Sequence, residues 1–482
     1  MSKLSAELNK AIIESVTGKY SLYIFQIFSL MVLSRLFSPE LFGVLTSIHL
    51  VVLFFQLVCN SGIAPAIVYQ ENVNAEVRNS LFTLTALLGG VLSTLLWFTI
   101  PVYLEWLAID VSLIPLALFI SVLFTLLSIV PLASIQKDAK FIVIAKAEII
   151  SELLSFLVCI LVWWLGFHNM ALVIKLTLTA VFRFMLYYYY SNKTSIGRAR
   201  LSGSIKKSSI IFEFAKFQTL FQIVNFISRN LDTLLITKYF GLSYVGYYDK
   251  SYQLMRYPLQ LFTFAIVPAL QPILTRYKET PNLIESEFYR IIYKLMVLGV
   301  FVSFVLCWNA SEIVFIMFGS QWQGVSPILS VLSVSIPIQM VLSTTGGVYQ
   351  ATGKTKTQFY CGLFSSCLSI TAIITGIWLN SIKLLCILLT ISFAISFFQC
   401  FYMLHKRVFL TSIPKKFFFL YFMLITPYVN LFVLEGSNVD SFDLVDSLFS
   451  ILSSSLVILI PTLAVLFLYK FYFGKKLNFE FI

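Results

Sequence analysis

About fourteen apolar stretches, each near the ~20 residues a helix needs to cross a bilayer, cover this chain almost end to end. They run approximately 18–37, 42–66, 80–104, 112–133, 142–165, 169–190, 213–237, 243–270, 288–308, 325–345, 357–379, 383–404, 416–434 and 447–471. The connections are too short for a soluble catalytic domain. Of 482 residues, 59% are hydrophobic and 12% charged, against roughly 25% charged in a soluble domain. Mean hydropathy is +0.89. The fold class is therefore an all-α polytopic membrane protein, since backbone in lipid must bond to itself.

The seven Cys lie inside apolar runs and form no CxxC pair. They read as small buried hydrophobes, with neither a disulfide framework nor a metal site. His49, His168 and His405 are too scattered for a catalytic or metal cluster. No HExxH, nucleophile elbow or paired-carboxylate pattern is present, so no enzyme activity, cofactor or metal is expected. The polar stretch Met1 to Lys19 precedes the first span, and no cleavable signal peptide is expected.

Net charge is +12, from 34 Lys and Arg against 22 Asp and Glu. Alternate loops carry most of it. The side holding the N-terminus has Lys3, Lys10 and Lys19, Arg78, then Lys137, Lys140 and Lys146, then Lys193, Arg198, Arg200, Lys206 and Lys207. Later loops on that side add Arg276, Lys278, Lys354, Lys356, Lys406, Arg407, Lys415, Lys416, Lys475 and Lys476. The other side has little beyond Arg35, Lys238 and Lys383, and holds the acids Glu435, Asp440, Asp443 and Asp446. The positive-inside rule puts both termini in the cytoplasm, with an even number of spans. The charge is then mostly topology, and no nucleic-acid partner is expected.

The basic loop Ser191 to Lys216 is a natural midpoint. A constant shift of 203 positions aligns Arg35 with Lys238, Phe37 with Phe240, Gly43 with Gly246, Pro65 with Pro268 and Ala66 with Ala269. This predicts two six-helix bundles, residues 1–190 and 213–404, related by a pseudo-twofold along the membrane normal. Residues 191–212 form a basic linker, and 405–482 add two helices and a tail.

Several charges sit at membrane depth, where each marks a functional-site hypothesis. Gln218, Gln222, Asn225, Arg229 and Asp232 follow spacings of four, three, four and three, one helix face. Asp249 and Arg256 share a face of the next span with Tyr252 between them, while Lys250 points about a quarter-turn from Asp249. Lys175 and Arg183 lie on span six, and Gln26 and Arg35 on span one. Glu148 and Glu152, one turn apart on span five, are positioned to neutralise Arg183. On one reading these charges pair and pin the helices. On the other, Arg35, Lys175, Arg183, Arg229, Lys238, Lys250 and Arg256 outnumber Asp232 and Asp249 and line a water-filled cavity for an anion. A charge near the bilayer centre costs about 2.5–3.5 kcal/mol on insertion scales, and pairing cannot cancel a surplus of one sign. The planar fork of Arg suits phosphate. Asp232 and Asp249 are candidate coupling-ion residues. Asn309-Ala310-Ser311 matches a glycosylation sequon on the outer side.

"SRLFSPELFGVLT" (34–46), "NSGIAPAIVYQ" closing span two, the Arg-Asn-Leu-Asp segment that runs from Arg229 into spans seven and eight, and "ATGKTK" (351–356) together resemble oligosaccharide flippases of the polysaccharide-exporter type. The likeness covers most of the chain through Arg407. It implies two six-helix bundles around an alternately opening V-shaped cavity in the bacterial inner membrane. It further implies transport of undecaprenyl-pyrophosphate-linked sugar repeat units to the periplasmic leaflet, for O-antigen or capsular polysaccharide assembly. Arg229 and Asp232 take the matching seventh-helix positions, and Lys250 and Arg256 the eighth-helix ones. The implied partners are that lipid-linked substrate, membrane lipids, a polysaccharide polymerase and a chain-length regulator. Thr237 stands where the family has a smaller residue, a departure without evident consequence. A multidrug cation exporter of the same superfamily and a polytopic polymerase or ligase are the competing functions. The first is disfavoured by the cationic surplus, the second by the short outer loops.

Overall fold

A computed structural model describes residues 3–60, 67, 74–107, 113–138, 140–202, 226, 230–275, 280–412, 445 and 447–453. Among them the regular structure is helical throughout. The chain separates into two compact units, Met1–Gly246 and Tyr247–Ile482.

The first unit holds α1 (Lys3–Leu36), α2 (Pro39–Asn60), α3 (Ala75–Trp106), α4 (Ile114–Leu127), α5 (Ile129–Lys137), α6 (Phe141–Trp164), α7 (His168–Ser191) and α8 (230–240). The next helix, α9 (Leu242–Thr275), begins in this unit and continues into the second. There follow α10 (Pro281–Trp308), α11 (Ala310–Phe318), α12 (Ser326–Ser333), α13 (Ile336–Ala351), α14 (Thr355–Trp378) and α15 (Ile382–Leu404). A 3-10 turn, Ser320–Val325, precedes α12, and a π turn, His405–Phe409, follows α15.

Seven helices among the described residues are long and apolar enough to cross a bilayer, and the α12–α13 pair makes up to eight. Most of the expected span 213–237, all of 416–434 and most of 447–471 lie outside the described residues. The expected fourth span is interrupted at Ser128, between α4 and α5, which still run on as one span, Ile114–Lys137. Pro131 lacks an N–H and its ring crowds the carbonyl of Leu127, where α4 ends. The tenth is bent by 56° between α12 and α13. Pro337 causes this in the same way, against the carbonyl of Ser333. At the corner Ser335 Oγ donates to the Leu332 carbonyl (2.7 Å), and Gln339 Nε2 donates to Ser335 Oγ (2.7 Å). Ser333, Ser335 and Ile336 are fully buried there.

In the first unit Leu81, Leu118, Val122, Leu126, Val130 and Ala133 form a closed core under α2, α3 and α7. In the second, Phe288, Ile292, Met296, Val341, Phe397 and Phe401 do so between α10, α13 and α15. The outward surface is apolar too: Phe98, Trp164 and Trp378 are 72%, 76% and 82% exposed. Such side chains face lipid. One expectation is corrected here. Cys159, Cys361, Cys386 and Cys400 are buried as read, but Cys367 is exposed and Cys307 only half-buried. An apolar run in a membrane protein does not distinguish core from lipid.

Candidate functional site

The charged residues gather in places set by helix register. Lys175 and Arg183 are two turns apart on α7 and face α6, where Glu152 lies between them. The Lys175 ammonium pairs with Glu152 Oε1, and Arg183 Nη2 lies 4.0 Å from Glu152 Oε2. Glu148, expected to help neutralise Arg183, accepts instead from the Tyr187 hydroxyl at 3.1 Å. Arg183 Nε is buried with no hydrogen-bond partner. The two cations thus share one acid, and the guanidinium keeps unused donors.

On α8, Asp232 is buried, and its Oδ1 accepts from the Thr233 N–H at 2.7 Å. One turn on, Thr237 donates to the Thr233 carbonyl (2.7 Å) and its hydroxyl lies 3.3 Å from that of Ser47 on α2. The departure from a smaller residue at Thr237 thus has a consequence: a polar link between α2 and α8. Lys238 sits over the Trp106 ring, 4.8 Å from its centroid, and donates to the Trp106 carbonyl at 2.5 Å. Arg35, in the last turn of α1, is exposed, and Gln26 is half-buried.

The start of α9 crosses the start of α2 at unusually short range. A Cβ on Gly43 would collide with the Leu242 carbonyl, and one on Gly246 with the Pro39 carbonyl. The Ser243 hydroxyl donates to Glu40 beside them. Only glycine permits such backbone approach.

In the second unit Lys250 is buried, and its Nζ lies 2.9 Å from Asp249 Oδ2 and 3.2 Å from Gln253 Oε1. The quarter-turn between Asp249 and Lys250 is bridged by the long lysine stem, against the expectation that they point apart. Gln253 Nε2 donates onward to the Tyr257 hydroxyl at 2.8 Å. Arg256 is exposed, its guanidinium 5.2 Å from the Tyr252 ring centroid, and Tyr252 contacts Tyr248 at 4.8 Å. Gln218, Gln222, Asn225 and Arg229 lie outside the described residues.

Two polar features were not anticipated. His405 is buried, with Nε2 2.8 Å from the Tyr289 hydroxyl and Nδ1 3.0 Å from the Thr411 hydroxyl, which donates to Glu285 at 3.2 Å. Tyr289 and Glu285 lie more than a hundred positions before His405 and Thr411, so no spacing announced the cluster. Arg78 is buried at the start of α3. The sequon residue Asn309 is fully buried, with Nδ2 donating to the Val305 carbonyl at 2.9 Å, so it is closed to glycosylation.

Apolar helices long enough to cross a bilayer, with aromatic residues exposed along them and a few charges buried among them, define a polytopic membrane protein. A solved lipid II flippase MurJ, in an inward closed conformation, superposes with TM-score 0.71 at 16% identity, covering 92% of this chain and 98% of that one. An inward-facing multidrug resistance MATE transporter of the MOP superfamily superposes with TM-score 0.58 at 12% identity, over 80% and 94%. The chain shares the fold of these two proteins. The chain belongs to the polysaccharide biosynthesis protein family, which matches residues 32–327. An uncharacterized membrane protein in the cps region of Klebsiella pneumoniae is 23% identical over 353 residues, 70% of each chain. The lipopolysaccharide biosynthesis protein WzxC of Escherichia coli K12 is 23% identical over 354 residues, 72% of this chain and 70% of its own.

Proposed function

We propose that this chain is a flippase for undecaprenyl-pyrophosphate-linked oligosaccharide repeat units, moving them from the cytoplasmic to the periplasmic leaflet by alternating access. Membership of the polysaccharide biosynthesis family over residues 32–327 carries this reading. Held cations with spare donors support it. Arg256 presents an exposed guanidinium steadied by Tyr252, and Arg183 has a buried Nε without a partner. Bidentate Arg contacts are suited to a pyrophosphate. Lys175 and Lys250 already touch carboxylates and supply background potential rather than first contacts. Arg35 and Arg229 complete the cationic set, and Gln26, Gln218, Gln222 and Asn225 face the sugars. Asp232 or Asp249 takes the coupling ion. A polymerase and a chain-length regulator are the partners such a carrier would serve, and both termini lie in the cytoplasm.

A deletion strain tests the reading. Lipid-linked repeat units should accumulate in the cytoplasmic leaflet, with surface polysaccharide lost. Accumulation in the periplasmic leaflet would instead identify a polymerase or ligase. Drug sensitivity with intact polysaccharide would identify a multidrug exporter.

A further inference from the structure

The segment that leaves α7 is strapped across the ends of its neighbours. Asp138, just past α5, accepts from the Ser195 N–H at 2.9 Å and from its hydroxyl at 2.5 Å. Lys140 Nζ contacts Asp138 at 3.0 Å and donates to the Lys193 carbonyl at 2.6 Å. Farther along, the Tyr188 hydroxyl donates to the Ala199 carbonyl at 3.1 Å. Asn79 Oδ1 accepts the Arg200 N–H at 3.0 Å, and the Thr83 hydroxyl accepts the Ser202 N–H at 2.8 Å. Residues 193–202 are thus fixed at the membrane end that the charge pattern assigns to the cytoplasm.

Beneath this strap lies Arg78, only 8% exposed. Its guanidinium donates to the Ile196 carbonyl and to Asn79 Oδ1, both neutral acceptors. That Asn79 oxygen is already shared with the Arg200 N–H. No carboxylate among the described residues pairs with Arg78, and a second cation, Arg200, stands beside it with its N–H on the same Asn79 oxygen. A buried charge ordinarily has an opposite charge beside it, because neutral dipoles recover only part of the lost hydration. Asp138 is occupied by Ser195 and Lys140, and Glu76 is exposed. Arg198 lies over the Tyr188 ring at 4.1 Å, which holds its fork at the surface, and Arg200 is exposed beside it.

We infer that Arg78, Arg198 and Arg200 form a phosphate-binding site at the cytoplasmic membrane surface, distinct from the charged residues of α6, α7 and α9. Its ligand is a phosphate group borne by a lipid. An anionic phospholipid and an isoprenoid pyrophosphate share that chemistry. The inference does not require the transport reading, since it rests on the strap and the uncompensated guanidinium.

Native mass spectrometry of the full chain in neutral detergent tests it. Phosphatidylcholine, phosphatidylglycerol and undecaprenyl pyrophosphate are added separately. The wild type should retain at least one of the two anionic lipids and shed phosphatidylcholine. The Arg198→Ala/Arg200→Ala variant changes only exposed side chains and should retain about tenfold less, the effect of one charge-assisted contact. Arg78→Gln should lose retention in the same way, with its melting curve recorded to confirm that it folds. Retention of phosphatidylglycerol alone makes a membrane phospholipid the ligand. Preference for undecaprenyl pyrophosphate makes the site a landing point for a lipid-linked substrate. Equal retention of anionic lipid by wild type and the double variant overturns the site, as does equal retention of phosphatidylcholine by the wild type.

Discussion

Gly246 lies against the main-chain carbonyl of Pro39, and Gly43 lies in the same way against the carbonyl of Leu242. The contact is reciprocal: Pro39 and Leu242 are 203 positions apart, as are Gly43 and Gly246. Glu40 and Ser243, separated by the same 203, hydrogen-bond to each other. Residues that the shift of 203 positions aligns thus meet where α2 and α9 begin.

A methyl group at this crossing should force the helices apart. Gly246→Ala and Gly43→Ala should each destabilise by about 1–3 kcal/mol, the usual cost of overpacking. The two share one contact, so the double variant should cost less than their sum. Melting in detergent measures this. A Glu40→Cys/Ser243→Cys pair should oxidise readily, and more slowly with Gly246→Ala added. Unchanged melting and unchanged oxidation would mean that the crossing is open in the membrane.

Glu152 is the acid shared by Lys175 and Arg183. Glu152→Gln strands two partly buried cations, and breaking a buried pair costs about 3–5 kcal/mol. Adding Lys175→Gln should recover part of that loss. A Glu152→Gln protein that melts like the wild type would show that water already solvates both cations.

Lys250 and Arg256 should behave differently although they are close in sequence. Lys250 is buried against Asp249, so Lys250→Ala should lower stability and protein level together. Arg256 is exposed over Tyr252, so Arg256→Ala should abolish surface polysaccharide at normal protein level. Complementation with immunoblotting separates the two outcomes. Full activity of Arg256→Ala removes it from the substrate path.

Asp138 makes the strap sensitive to acid. Burial alone would raise its pKa, but the Ser195 hydroxyl and N–H and the Lys140 ammonium outweigh burial and hold it below the usual carboxylate value. A lowered folded pKa means that its stabilisation is complete above the unfolded value, about 3.9. It is lost as pH falls through the folded pKa. Stability of Asp138→Asn relative to wild type should therefore be lower by about 1–2 kcal/mol at neutral pH. The gap should close only below about pH 4. A gap that closes between pH 5 and 7 would point to another group.

Hydropathy placed most helices because lipid demands long apolar segments. α6 and α7 fall within a residue of their expected limits. α1 reaches back to Lys3 because its polar start is rich in helix formers that hydropathy does not register. The break at Ser128 was hidden because Pro131 sits in an unbroken apolar run. Charges were legible as residues and only partly as pairs. Glu152 was expected beside Arg183, yet only the register between α6 and α7 gives it Lys175 as well and sends Glu148 to Tyr187. Arg78 looked like one more topological cation, since burial beneath a later segment leaves no local trace. The Tyr289–His405–Thr411 cluster depends on residues more than a hundred positions apart, which no periodicity links.

The corner between α12 and α13 has one more implication. A bend at a proline is often pictured as a joint. Here the Leu332 carbonyl accepts from both the N–H and the hydroxyl of Ser335, that hydroxyl accepts in turn from Gln339, and Val334 and Ser335 are fully buried. Straightening it would strip these groups of their partners where no water can replace them. The angle is welded, and whatever moves in this protein during a cycle must carry that corner along intact.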